Sequence, residues 1–377
     1  MTIAFIGQKG IPATSGGVER YVEDLAVRIA ARGVQAVVYT RPYYTAPGLT
    51  NYNGVKLVSL PSIKTKHLDA ISHSFLAVVH AVWQRYDVIH FQSIGPALVI
   101  WLPRLLSPKT RIVSTLQSRD YEHQKWNGLS RWFLRLGEKF MCHFSHEVVV
   151  VTESMRDYVR AEYGLEALYI PNGANHYDAV GADELSAWSL EPGQYIAYIG
   201  RLVRHKGVHH LIAAYNQLSE NKLPLVIVGD GAFTDRYVDE LKALAGDSSK
   251  IIFTGRQSGS ALAELYANAR LFVQPSESEG LSLALLEAMS RGVPVLVSSI
   301  SENLEAIGDT GFIFENKSVD DLREKLRFIL SEPELAAEKT VAAKLRVASK
   351  FDWDEIAGAM LMSYRGQGGL VEREAAA

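Results

Sequence analysis

Short apolar runs separated by helix-length stretches recur along the chain, and they recur in two blocks. The first block holds IAFIG (3–7), QAVVYT (35–40), VKLVSL (55–60), DVIHF (87–91), RIVSTL (111–116), EVVVVT (147–152) and ALYIPN (167–172). Helical stretches such as Val18–Ala31 and Ser130–Phe144 lie between them. Runs this short, rich in Val and Ile, read as strands buried on both faces. Strands that alternate with helices build parallel sheets, because a parallel connection needs a crossover long enough to hold a helix. The second block repeats the pattern with YIAYIG (195–200), LPLVIVG (223–229), KIIFTG (250–255), ARLFVQP (269–275) and VPVLVS (293–298).

Between the blocks, GANHYDAVGADELSAWSLEPG (173–193) is polar, Gly-rich and aperiodic, and reads as a linker. The expected architecture is α/β: one Rossmann-like lobe over 1–172 and another over 194–350, facing across a cleft. At 377 residues the chain is long enough for two cores. Asp320–Ser331 and Glu334–Lys350 read as helices, 351–365 as a last helix, and 366–377 as a disordered tail. Asp352 followed by Glu355 fits a capping box, so Asp352-Trp353-Asp354 reads as a helix start rather than a metal motif. Ligands of open parallel sheets bind beyond the carboxyl ends of the strands, and in both blocks glycines and charged residues gather there.

The charge asymmetry suggests an anionic partner for the first half or a plain solvated surface, and is too small to argue for nucleic acid, which is not expected as a partner. Residues 1–188 carry 19 Lys/Arg and 16 Asp/Glu, residues 189–377 carry 20 and 26, so the halves stand at +3 and −6. The single Cys142 can form no internal disulfide and fits a reducing cytoplasm. The chain enters an apolar strand at Ile3 with no signal-like leader, and stretches such as Ile94–Leu106 are too short and too interrupted to span a bilayer. A cytoplasmic protein, peripheral to a membrane at most, is expected. Arg131, Arg135 and Lys139 form a stripe beside Trp132, Leu136, Phe140 and Phe144. Such a helix lies on a membrane surface or is an ordinary half-buried helix.

Four stretches hold the candidate chemistry. PSESEGLSLALLEAMSRGVP (275–294) sets Glu279 near a helix start and Glu287 eight residues on, a little over two helical turns. Helix N–H groups there form an anion site, suited to a ligand with hydroxyls and phosphates. Glu287 is either a solvated helix residue or, among Leu283, Leu286 and Met289, a carboxylate that needs a partner. After the first strand of the second block, Arg201 and Lys206 bracket a loop and can converge on a diphosphate. In GQKGIPATSGGVER (7–20), Gly16 and Gly17 open the way for close backbone approach, or mark a plain turn. After RIVSTL come Gln117, Asp120 and Lys125-Trp126, with His90 and His123 nearby; His90 reads as a buried structural histidine and His123 as a surface one.

These stretches resemble the family 4 retaining glycosyltransferases of the GT-B fold. The carriers are the E-x7-E run with its P-S, E-G and L-E-A-M flanks, GRLVRHKG (200–207) against G-R-L-x-x-x-K-G, and the G-x-x-G-I-P…G-G-x-E opening, which is similar to a subgroup of polysaccharide rhamnosyltransferases. The resemblance implies that Glu279 contacts hydroxyls of the donor sugar and Glu287 its ribose. Gly280, Leu281 and Ser282 would present amides, and Gly16-Gly17 would lie against phosphate and sugar. The loops at Gly229 and Arg256 would border the base, although turn formation explains their glycines too. It implies a nucleotide-diphosphate sugar as donor substrate, no cofactor or metal, a carbohydrate or lipid-linked acceptor on the first lobe, and retention. The family often has a histidine where this chain has Gln117, which can hydrogen-bond a hydroxyl but cannot titrate. A catalytically impaired nucleotide-sugar-binding subunit, or an epimerase on the same fold, therefore stays open beside the transferase.

Overall fold

The computed structural model describes all residues except 66–67, 120, 122–127, 219–222, 232–233 and 370–377. Two compact units result: Met1–Gly173 with Trp353–Ala377, and Ala174–Asp352.

Unit 1 contains β1 (Thr2–Ile6), β2 (Gln35–Thr40), β3 (Asn51–Tyr52), β4 (Val55–Ser59), β5 (Val88–Gln92), β6 (Arg111–Leu116), β7 (Glu147–Val150) and β8 (Leu168–Tyr169). They form one sheet in the order β3-β4-β2-β1-β5-β6-β7-β8, parallel except for the β3–β4 hairpin. Unit 2 contains β9 (Ile196–Ile199), β10 (Leu225–Val228), β11 (Ile251–Gly255), β12 (Leu271–Gln274), β13 (Val295–Ser298) and β14 (Phe312–Phe314), ordered β11-β10-β9-β12-β13-β14 and parallel throughout. The α/β reading of both blocks therefore holds. The strands β3 and β14 escaped it because two or three residues cannot show a period.

Burial follows from the crossovers. With helices on both faces, Ile3, Ala4, Phe5 and Ile6 of β1 are all inaccessible. Alternation still sorts side chains by face. Ile89 and Phe91 of β5 join a core with Ala77, Val78, Val99 and Ile100. His90, between them, points to the opposite face, where its ring meets the Tyr364 hydroxyl at 2.7 Å. Unit 2 packs Ile196, Tyr198, Leu211, Leu225, Leu271 and Leu326 into its own core.

The last helix, Trp353–Tyr364, packs on the first, Gly17–Ala31. Its Trp353 ring stands 5.6 Å from Tyr21, and Asp354 pairs with Arg32 at 3.0 Å. Most of 173–193 lies with unit 2. A short 3₁₀ helix, Asp183–Trp188, buries Leu185, and Glu184 donates its N–H to the Glu264 carboxylate at 2.8 Å.

In both sheets the strand order reverses beside the first strand, between β1 and β5 and between β9 and β12. Loops that leave these neighbours diverge and open a crevice at their carboxyl ends.

Candidate functional site

In unit 2 the loop after β9 runs through Gly200–Gly207 and the loop after β12 through Pro275–Ser282. Because β9 and β12 are adjacent, the loops meet. Lys206 Nζ lies 2.5 Å from Glu279 Oε1, which also accepts from Ser276 Oγ at 2.6 Å. The two side chains are 16% and 7% exposed. Glu277 donates its N–H to the His205 carbonyl at 2.7 Å. Gly207 has φ +67°, and a Cβ there would stand 1.8 Å from the Pro275 carbonyl oxygen, so the loops close only over glycine. Two motifs 73 residues apart thus become one site.

Arg201 shares the first of these loops. Its guanidinium is exposed and has no side-chain partner among the described residues, while its carbonyl accepts from the Tyr198 hydroxyl at 3.0 Å. Burial, and then the Glu279 charge, push the Tyr198 hydroxyl well above its ordinary pKa, so it remains a neutral donor.

The helix here begins at Leu283 and ends at Ser290, later than the helix start read near Glu279. Ser282 caps it, its hydroxyl accepting from Leu285 N–H at 3.4 Å. Glu279 therefore sits in the loop ahead of the cap, with Gly280 and Leu281 between. Glu287 is on the helix, 19% exposed, and paired with Arg291 at 3.2 Å. Arg291 in turn lies over the Tyr177 ring, 3.6 Å from its centre. Glu287 is thus a carboxylate with a partner, not a freely solvated one.

Beneath the loop runs a buried polar chain that the sequence reading missed. Ser282 Oγ donates to Gln274 Oε1 at 2.9 Å, Gln274 Nε2 to Asn303 Oδ1 at 2.9 Å, and Asn303 Nδ2 to Ser298 Oγ at 2.9 Å. Ser298 Oγ then donates to the Ser276 carbonyl at 2.5 Å. Satisfied networks of this kind rigidify what they support. The available signal was Gln274, a polar residue closing an apolar strand.

Gly229 and Arg256 follow β10 and β11. Gly229 donates its N–H to the Gly255 carbonyl at 2.9 Å, and a Cβ on it would stand 1.9 Å from the Gly200 carbonyl. Packing alone accounts for this glycine. Arg256 is exposed. His209, His210 and Glu277 also converge, with ligand-type atoms within 4.8 Å of one another. The sequence shows no such cluster because Glu277 is 67 positions from His210. Lys317 Nζ, 3.3 Å from Glu277, supplies a counter-charge. Burial, then the neighbouring His210, lower the His209 pKa to about 4.

In unit 1, Gly16 (φ +99°) precedes the helix that Gly17 opens. The loop before it is tied to that helix: Lys9 N–H donates to Glu19 Oε1 at 3.0 Å and Ala13 N–H to Glu23 Oε2 at 2.7 Å. A Cβ on Gly17 would meet nothing within 4 Å. Gln117 follows β6; it is buried and donates to Gln92 Oε1 at 3.2 Å. His90 is inaccessible, held between Tyr364 and Thr115, and burial lowers its pKa to about 3. Asp120, His123, Lys125 and Trp126 lie outside the described residues.

Comparison with known proteins yields two family matches. Residues 16–173 match the glycosyl transferase 4-like domain and residues 187–346 the glycosyl transferases group 1. The chain is 27% identical to glycogen synthase of Mycobacterium tuberculosis, covering 97% of this chain and 94% of that one. Among solved structures it is similar to sucrose-phosphate synthase of Thermosynechococcus elongatus, with TM-score 0.83, 24% identity, and 97% and 98% of the two chains covered. Anabaena HepE in complex with UDP-glucose gives TM-score 0.78 at 19% identity, over 97% and 100%.

Proposed function

Taking as premise that the chain is a glycosyltransferase of the group 1 type on the GT-B fold, we propose that unit 2 binds a nucleotide-diphosphate sugar and that the enzyme transfers its sugar with retention. The Lys206–Glu279 pair carries this reading, because it sets a cation and a hydroxyl-binding carboxylate side by side. In the proposed roles, Lys206 and Arg201 face the diphosphate and Glu279 the sugar hydroxyls. Glu287, oriented by Arg291, takes the ribose, and Gly280, Leu281 and Ser282 offer amides. The bond from the anomeric carbon to the phosphate oxygen breaks with its electron pair left on the diphosphate. Fixed cations stabilise that growing charge. The acceptor hydroxyl attacks from the face the diphosphate leaves, and its proton passes to the departing phosphate oxygen.

On the same reading unit 1 holds the acceptor, a carbohydrate or lipid-linked hydroxyl reached from the cytoplasm, with Gly16-Gly17 and Gln117 as proposed ligand contacts. Polysaccharide assembly is the proposed setting. HepE is described with UDP and UDP-glucose, which supports a nucleotide-sugar donor by likeness of fold alone.

The test is a thermal-shift panel of UDP, GDP, ADP and dTDP sugars, repeated on Glu287→Ala, followed by NMR of the product anomer. Stabilisation by one nucleotide class, lost in the variant, with retained configuration, is expected. No shift with any donor overturns the reading. A nucleotide-sugar-binding subunit without catalysis is favoured by one observation: the Gln117 amide, bound to Gln92, cannot titrate. Tight donor binding with neither transfer nor slow donor hydrolysis would establish it.

A further inference from the structure

The sheet face of unit 1 opposite His90 is covered by three neighbouring helices, Asp69–Gln84, Trp101–Leu106 and Gly128–Phe144, which share one core through Ala77, Leu102 and Phe140. Their outer surface is unusually apolar. Trp83 is 77% exposed, Leu105 66% and Trp132 58%, and Phe75, Val79, Leu106, Leu129 and Phe133 are exposed among them. Single exposed apolar residues need no explanation, but a contiguous set on adjacent helices does.

The charges on these helices are sorted. Their exposed ionised side chains, Arg104, Arg131, Arg135 and Lys139, are all cations. Both carboxylates turn inward. Asp69 pairs with buried Arg41 at 2.5 Å, and Glu138, fully buried, accepts from the Tyr158 and Tyr163 hydroxyls at 2.8 and 2.6 Å. An apolar cavity of about 530 Å³ opens beside Asp69–Gln84, lined by Pro61, Ile63, Ile71, Phe75, Leu76 and Val99. No helix among the described residues is long and apolar enough to cross a membrane.

We infer that this three-helix face docks on the surface of an anionic lipid bilayer, with the tryptophans, leucines and Phe133 entering the interface and Arg104, Arg131, Arg135 and Lys139 meeting headgroups. Aromatic and apolar groups interleaved with cations, without exposed acids on these three helices, match such a surface. A second copy of the chain is a poorer occupant, because it would bring cations against cations. Part of an acyl chain is the proposed occupant of the apolar cavity. The inference goes beyond donor chemistry and does not depend on it.

The full chain is co-sedimented with vesicles of phosphatidylcholine, alone or with roughly a third phosphatidylglycerol. Binding is expected to the anionic vesicles and to weaken with salt. Arg131→Gln/Arg135→Gln/Lys139→Gln should lower partitioning on the order of 100-fold at low salt, about fivefold per cation. Trp132→Ser/Phe133→Ser, and separately Leu105→Ser/Leu106→Ser, should lower it at any salt. All three variants should keep the wild-type melting temperature and the wild-type response to nucleotide sugars, which reports on the donor site separately. Absence of binding to anionic vesicles at low salt overturns the inference, as does unchanged binding by all three variants. A dimer in sedimentation velocity that Trp132→Ser/Phe133→Ser abolishes would also overturn it, assigning the face to a second copy.

Discussion

Replacing Lys206 with methionine keeps the length of the side chain and removes the ammonium from Glu279. That carboxylate is 7% exposed and retains the Ser276 hydroxyl as its side-chain donor among the described residues. Breaking one side of a buried ion pair costs roughly 3–5 kcal/mol, because the other charge stays desolvated. With Ser276 still donating, the lower end applies, about 3 kcal/mol. For a unit of this size each kcal/mol moves the midpoint by about 2–4 °C, so the unit 2 transition should fall by about 6–12 °C. Glu279→Gln added to Lys206→Met removes the stranded charge and should recover at least half of the loss. Transfer should behave differently. In its proposed role the cation acts on charge that develops on the departing diphosphate, so both variants should lose about 10²–10³ in rate. Differential scanning calorimetry and a donor-consumption assay read the two effects. If Lys206→Met and Glu279→Gln shift the midpoint additively, the pair is uncoupled and the reasoning from its burial fails. If Lys206→Met keeps the wild-type rate, the cation is not at the leaving group.

The glycine opening the first helix of unit 1 separates packing from ligand approach. Gly17→Ala meets no atom within 4 Å and should leave stability unchanged or raise it by up to about 1 kcal/mol, while impairing transfer through its proposed ligand contact; full activity would refute that contact. Gly229→Ala should do the reverse of a ligand-site change, lowering the melting temperature of unit 2 with or without donor, since its Cβ would strike the Gly200 carbonyl; an unaltered melt would show that the two loops can part. Stability should also fall in acid. Burial holds His90 near a pKa of about 3, so between pH 6.5 and 3 the unfolded chain takes up a proton that the folded one refuses. Its contribution is complete above pH 6.5 and declines by about 1.4 kcal/mol per pH unit below it. Urea unfolding at pH 7 and pH 5 should show the wild type losing about 2 kcal/mol more than His90→Gln; equal losses would mean that His90 is not buried and neutral.

The sequence by itself determined the architecture. Apolar runs buried on both faces and spaced by helix-length segments leave few alternatives to two parallel α/β sheets, and a strand's burial is written in its own residues. It also marked the candidate stretches, since glycines, cations and acids at strand ends stand out against apolar neighbours. What it could not carry was pairing across the chain. That Lys206 meets Glu279 follows from the adjacency of β9 and β12, a property of strand order and not of either motif. The eight-residue spacing of Glu279 and Glu287 looked helical, yet the Ser282 cap starts the helix between them. The Gln274–Asn303–Ser298 support and the His209–His210–Glu277 cluster likewise join segments that local pattern cannot connect. The outward turn of Trp83, Leu105 and Trp132, with Glu138 turned in, was equally a tertiary outcome. Periodicity shows that a helix has two faces; only packing against the sheet decides which one meets solvent.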